Sequence, residues 1–420
     1  MGFELKAGFW SMLDQGAVSA GNFLTAILLA RALVPAEYGI YALLFALMLF
    51  VVSLHAALIV YGLSLDGAAG TDAMLRPLTG GSLVLTAGLG TVLGAAIGAV
   101  AMLFHRISLV PWILLAVLFW QLQETTRRAL ISRLRHRDAV WGDALSYLGQ
   151  AACIAYLFVA RRLSLVSAFE VMSLTSAAAW LFQISQLKLA FRDFRGALRL
   201  LQRFWGVGRW MLLTNIAQAF IDQALFWFLA LRGTAEVASF QSIVNLVRAM
   251  NPVMFAIGSV LLPTVAAQRE NPAAGLHAGR RYGLLGGLML LPYFGMIFTF
   301  PGLALRFLYG PNSAYSGLGL ELRLLVIASA FVYAAYVSGA YYNGLSKSYI
   351  VLRFQLVAAV TAVVPGFVLV TQAGVIGAAL AYDLAFAAQT AAYVWFLRRS
   401  ALSPSLEPLS IDPASQVEQP

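Results

Sequence analysis

The chain has 420 residues, of which 61% are hydrophobic and only 11% charged, and its formal net charge is +10. A soluble domain carries charge on about a quarter of its residues, so a water-soluble globular fold is excluded. The basic surplus does not point to nucleic acid either. It falls in short loops between apolar runs, where membrane topology and anionic headgroups account for it.

Apolar runs of about 18 residues or more recur from end to end, each long enough to cross a hydrocarbon core of about 30 Å. A β-barrel would instead read as alternating segments of about ten residues. The sequence therefore predicts an all-α polytopic membrane protein with twelve transmembrane helices in two pseudo-symmetric six-helix bundles. The halves are residues 1–195 and 196–399, followed by a tail, 400–420.

The opening "MGFELKAGFWSMLDQG" has no compact apolar region before a small-residue cleavage site. It reads as the cytoplasmic start of a first span, 8–30, and not as a cleaved signal. That span carries Asp14, Gln15, Ser19 and Asn22. Next comes "ARALVPAEYGIYALLFAL", which leads into a second span, 38–64. Pro35 fixes φ and starts a tight hairpin, and Gly39 gives the new helix a close-packed beginning. His55 in that span reads either as a packed, hydrogen-bonded helix residue or as a functional group. Spans 77–104 and 108–126 lead to a loop holding Arg127, Arg128, Arg133, Arg135 and Arg137. Arg127 and Arg128 either guide an anion into the cytoplasmic mouth or simply set topology, and Glu124 is placed to pair with nearby arginines. Span 140–160 holds the single cysteine, Cys153, which reads as a buried inert thiol. Span 165–187 closes the first half.

Span 205–231 brings Arg209, Asn215, Gln218 and Asp222. "FLALRGTAEVASFQSI", from Phe228, then repeats the first hairpin with a shift of about two hundred residues, Ala36-Glu37-Tyr38-Gly39 falling on Ala235-Glu236-Val237-Ala238. Spans 235–265, 281–300, 317–344, 350–371 and 374–397 follow. The tail, rich in Ser and Pro, is expected to be disordered in the cytoplasm. Loops after even-numbered spans are rich in Arg and those after odd-numbered spans are not, which puts both termini on the cytoplasmic side of the cell membrane. Two parallel six-helix repeats imply a pseudo-two-fold along the membrane normal and a cleft between the halves, as in a transporter that rocks one bundle against the other.

Charges near mid-membrane cost several kcal/mol unless they face water or a partner. Arg248, in the eighth span, is the clearest case. Pro252 lacks an N–H, so the Arg248 carbonyl is expected to lose its helical partner. Gln241, Asn245 and Arg248 share one helical face. Asn215, Gln218 and Asp222 form a stripe on span seven with Arg209 below it, matched by Asp14, Ser19 and Asn22 on span one. Guanidinium groups suit a diphosphate, and amides suit sugar hydroxyls. Asp222 and Asp14 are candidates for H+ or Na+ coupling. Other readings stand beside these: Asp222 and Arg248 neutralise each other, and Asp14 is interfacial. Tyr341, Tyr342, Trp205 and Trp210 read as interface-belt aromatics, and Pro365 reads as a kink.

The hairpin "ARALVPAEYGIYALLFAL" resembles the opening signature of prokaryotic polysaccharide flippases, the O-antigen and exopolysaccharide flippases of the multidrug/oligosaccharidyl-lipid/polysaccharide exporter superfamily. "LPTVAAQRE", "RFLYGPNSAYSGLGLELRLLVIASAF" with "YYNGLSKS", and "AGVIGAALAYDLAFAAQTAAYVWFLRR" fit the same pattern. The resemblance implies two bundles in a V that carry a polyprenyl-diphosphate-linked glycan to the outer leaflet, driven by an ion gradient. It implies membrane lipids, and a polysaccharide polymerase or glycosyltransferases, as partners, and no cofactor. A drug or metabolite exporter of the same superfamily is the alternative. A membrane-embedded glycosyltransferase or polymerase is disfavoured, because the outer loops are short and hold no acid pair, no HxxH and no Gly-rich phosphate cradle.

Overall fold

The computed structural model describes residues 2–69, 71–187, 189, 194–268 and 271–402. Arg269 and most of the expected tail, 403–420, lie outside them. Among the described residues there are twelve long helices: α1 (Gly2–Ala32), α2 (35–69), α3 (Asp72–Leu103), α4 (Val110–Ile131), α5 (136–159), α6 (Leu165–Ser185), α7 (Phe194–Ala230), α8 (234–267), α9 (Pro272–Thr299), α10 (Gly319–Gly344), α11 (348–373) and α12 (375–402). A short helix, Pro301–Tyr309, lies between α9 and α10. No strand occurs among the described residues. The helices overrun the predicted spans mainly at the arginine-rich ends, α7 most of all.

Three passes are locally irregular. π turns at Ala56–Val60 and Ala144–Leu148 interrupt α2 and α5. A 3₁₀ turn at Arg248–Met250 interrupts α8 just before Pro252. This overturns one expectation: the Arg248 carbonyl is not free, because tightening the turn lets the Asn251 N–H donate to it. The break between α11 and α12 comes at Gly374, where φ is 59°.

The loops after even-numbered helices define a basic face, and those after odd-numbered helices define the opposite face. On the opposite face a single apolar core runs through both bundles, from Leu29 and Leu43 to Phe240, Ile243 and Val370. On the basic face it divides. One core is built from α7, α8 and α10–α12 around Leu261, Tyr342 and Tyr393. A separate one gathers Ile59, Leu63, Leu75 and Ala129. The bundles thus share a single core on one face and are built on two separate cores on the other, one of which α7 carries into the first bundle.

The first hairpin shows how the joint is made. Pro35 begins α2. A Cβ on Gly39 would run into the carbonyl of Thr234, so the starts of α2 and α8 cross in backbone contact. Glu37 pairs with Arg106 at 3.0 Å within its own bundle. Arg31 reaches across instead: its Nε–H donates to the Leu308 carbonyl at 2.6 Å and Nη2 donates to that of Phe307 at 2.9 Å. These are last-turn carbonyls of the short helix, which have no partner inside it.

The seam between α2 and α7 stays closed towards the basic face. Gly62 receives the Phe204 ring, Gly208 abuts the Ala57 carbonyl, and Arg203 pairs with Asp66 at 3.0 Å. Ala197, Leu200 and Phe204 of α7 belong to the first bundle's core, whereas Ile221 belongs to the second's. Two residue expectations fail. Cys153 is exposed on α5, an outward-facing small hydrophobe. Tyr341 and Tyr342 are buried in the second bundle and are not belt residues; Tyr342 stacks on Tyr393.

Candidate functional site

The polar residues singled out in the sequence fall into four groups. On the closed face, Gln241 donates to the Asn245 Oδ1 at 2.6 Å, and Asn245 Nδ2 donates to the Tyr38 hydroxyl at 2.8 Å and to that of Tyr309 at 3.4 Å. Tyr309 in turn donates to the Ser242 carbonyl at 2.7 Å. Tyr38 is fully buried, so Gln241 and Asn245 belong to the closure between bundles. Arg248, one turn further along α8, is half-buried where the joined core ends.

Arg248 lies within electrostatic reach of Asp222 and Tyr382. Among the described residues, no carboxylate forms an ion pair with it. Gln218 donates to Asp222 at 3.1 Å and accepts from Gln355 at 3.2 Å, a chain linking α7 to α11. Asp383 on α12 keeps a buried Oδ1 without a hydrogen bond. Asn215 lies apart from this chain. Its amide donates to the Ser53 carbonyl at 2.8 Å and helps close the α2–α7 seam. Arg209 is exposed and, with Trp205, Leu212 and Leu213, walls an open cleft of about 290 Å³ along α7.

The third group is an ionic cluster inside the first bundle. Arg127 is ion-paired with Asp14 of α1, with Asp143 of α5, and with Glu124 of its own helix at 3.1 Å. Arg128 also holds Glu124, at 2.5 Å. Gln123 donates to Asp143 at 3.2 Å and accepts from Ser146 at 2.9 Å, while Gln183 of α6 donates to the Ala139 carbonyl. Three helices, α1, α4 and α5, therefore converge on one buried guanidinium, and α6 braces α5 beside it. Arg127 is engaged here and not presented at the mouth, whereas Arg128 is the more exposed of the two. A charge so buried is tolerable because three carboxylates surround it.

Asn22 forms the fourth group and faces the first bundle's interior. It lines a small internal pocket with Phe45, Trp120, Ser146, Tyr147 and Gln150, not the gap between bundles. Sequence reasoning missed Asp143 and the tyrosine pair. Asp143 is an ionisable residue in an apolar span, the signal that flagged Arg248. Tyr38 stands inside the quoted hairpin, but nothing in one sequence shows that its hydroxyl meets an amide 207 residues away.

No protein-family model matches the chain, and no curated protein matches it by sequence. Solved structures do. The chain superposes on an inward-facing multidrug resistance MATE family transporter of the MOP superfamily with a TM-score of 0.77 at 17% identity, covering 92% of this chain and 95% of that one. The fold is shared with this MATE transporter. Against an outward-facing MATE transporter the TM-score is 0.66 at 15% identity, over 95% of each chain. The lipid II flippase MurJ, inward closed, gives 0.73 at 11% identity, over 93% of this chain and 87% of that one.

Proposed function

We propose that this protein moves a polyprenyl-diphosphate-linked oligosaccharide across the cytoplasmic membrane by alternating access, with its basic face in the cytoplasm and the present conformation open to it. The observation that carries the reading is Arg248, a cation with no ion-paired carboxylate among the described residues, at the level where the shared core ends. A diphosphate would supply the bidentate anionic partner that a guanidinium lacks there. Arg209, in its apolar cleft beside Trp205 and Leu213, is placed to meet such an anion on its way in. Asn215, Gln241 and Asn245 would then act at the bundle contacts as the bundles rock, while Asp14 sits in the Arg127 cluster and Asp222 in the Gln218 chain as candidates for H+ or Na+ coupling.

The test is flipping of a fluorescent polyprenyl-diphosphate saccharide in proteoliposomes. Arg248→Ala should abolish transport and Arg248→Lys should retain part of it, since Lys keeps charge without the planar fork. Transport by Arg248→Ala at the native rate would remove Arg248 from the reaction. A second reading, export of an organic cation, is favoured by Asp222 and the partnerless Asp383 oxygen in the same bundle. It requires Asp383→Asn to lose efflux of a lipophilic cation while Arg248→Ala retains it.

A further inference from the structure

A second polar cluster in the first bundle lies away from the Arg127 site. His55 is fully buried, and its Nε2 lies 3.1 Å from the Thr86 hydroxyl and 3.0 Å from that of Thr125. The two hydroxyls are 2.8 Å apart, and Thr125 donates to the Gln121 carbonyl at 3.1 Å. Thr125 therefore spends its proton on the backbone and accepts within the triangle. The arrangement closes best with Nε2 protonated, donating to the hydroxyls, and Thr86 donating to Thr125. Nδ1 is then a bare lone pair. It is buried and has no hydrogen-bond partner.

More orphaned polar groups lie on the same helices. Thr79 and Ser82 of α3 are buried with unpartnered hydroxyls, and neither amide atom of the buried Gln121 is bonded. Thr79, Ser82 and Thr86 follow one face of α3 inward from the basic face, with rises of about 4.5 and 6 Å between them. Each step is one that a single water can bridge. The charged groups within electrostatic reach of the ring are Glu124 and Arg128, both from α4. Glu124 is already held by Arg127 and Arg128. From α3 the ring is hydrogen-bonded by the Thr86 hydroxyl, and Asn215 of α7, bonded two residues before the ring, is uncharged.

The ring also occupies a mechanical position. His55 ends the regular first part of α2, and the π turn Ala56–Val60 follows at once. The Ala57 carbonyl in that turn packs on Gly208 of α7, and the Ser53 carbonyl two residues before His55 receives Asn215 of α7. π turns are interruptions that can shift along a helix, and they concentrate at functional positions.

We infer that His55 is a proton-binding site, reached from the basic face along the α3 hydroxyl row, and that its occupancy is linked to the α2–α7 seam. A proton on Nδ1 would create a buried imidazolium with no free carboxylate to receive it, a costly arrangement unless the surroundings change. The element free to change is the π turn, and moving it loosens the contacts with Gly208 and Asn215. Acidification therefore shifts the chain out of the present conformation, by linkage. The inference does not depend on the cargo.

The test uses the full chain in lipid nanodiscs, with Cys153→Ser as background and spin labels at Leu134→Cys and Ser348→Cys, exposed sites on the basic ends of the two bundles. Between about pH 8 and pH 5, electron–electron distance distributions should show the wide-gap population falling, roughly tenfold in ratio for each unit of difference in proton affinity between conformations. Nitrogen-15 NMR of labelled histidines should show His55 Nδ1 gaining a proton as the wide-gap population falls. His55→Asn, which keeps a hydrogen-bonding group but takes no proton, should abolish the shift, and His55→Gln serves if the Asn variant does not fold. A wild-type distribution that ignores pH, or an undiminished shift in both variants, would overturn the assignment. Either result leaves the proposed cargo untouched.

Discussion

Replacing Tyr38 by Phe isolates a contact that exists only while the opposite face is closed. The hydroxyl of Tyr38 accepts from Asn245 across the bundle boundary at 2.8 Å, whereas the Gln241–Asn245 and Tyr309–Ser242 bonds lie within one bundle and survive its movement. The ring itself, edge-on to Tyr315 at 6.2 Å between centroids, is retained by the substitution. What is removed is one buried neutral hydrogen bond, worth about 0.5–1.5 kcal/mol net. Asn245 keeps Tyr309 as a longer alternative, so the full cost of an orphaned donor is not incurred. The ratio of closed to open forms should therefore fall roughly two- to thirteen-fold, from RT of about 0.59 kcal/mol. Spin labels at Ala160→Cys and Asn312→Cys, both exposed on this face, read that ratio directly in a Cys153→Ser background. A ratio unchanged within twofold, in protein of native thermal stability, would refute the claim that this bond holds the face shut.

Three further outcomes follow from the packing. Gly39→Ala should prevent full closure of the opposite face, because the added Cβ meets the rigid Thr234 carbonyl, and the same label pair should report a displaced or missing short-distance peak. Arg127→Leu leaves three carboxylates without their shared cation and should cost about 3–5 kcal/mol. Thermal unfolding in detergent should drop by many degrees, and a native unfolding temperature would show the cluster to be dispensable. Arg203→Ala removes a pair whose arginine is 64% exposed, so it should alter stability by no more than about 1 kcal/mol. Gly62→Leu, which competes with Phe204 for the same space, should be far more damaging in the same melt.

The helix count and its alternation were legible because crossing a bilayer imposes a length and an apolar composition on each segment separately. The hairpin was legible for the same local reason: Pro35 and Gly39 act through their own backbones. The fate of each polar side chain was not. Helical spacing assigned Gln241, Asn245 and Arg248 to one face, yet a face does not say what opposes it. Tyr38 and Tyr309 meet Asn245, and among the described residues no charge within ion-pair distance meets Arg248. Pro252 gave the place of the irregularity in α8 but not its remedy, since a 3₁₀ turn satisfies the carbonyl that a plain α-helix would have stranded. Asn22 and Arg127 turned inward because other helices of the first bundle supply their partners, which is a tertiary fact invisible to hydropathy.

Helix α7 is rooted in both halves, Leu200 and Phe204 in one core and Ile221 in the other. The end of the sixth helix is therefore not the boundary at which the chain would come apart cleanly. A gene cut just ahead of Phe194 would give a leading fragment with Ile59, Leu63 and Leu75 stripped of their cover. Its trailing partner would carry a greasy spur seeking that vacancy, so the severed pieces should find each other when made together and precipitate when made alone.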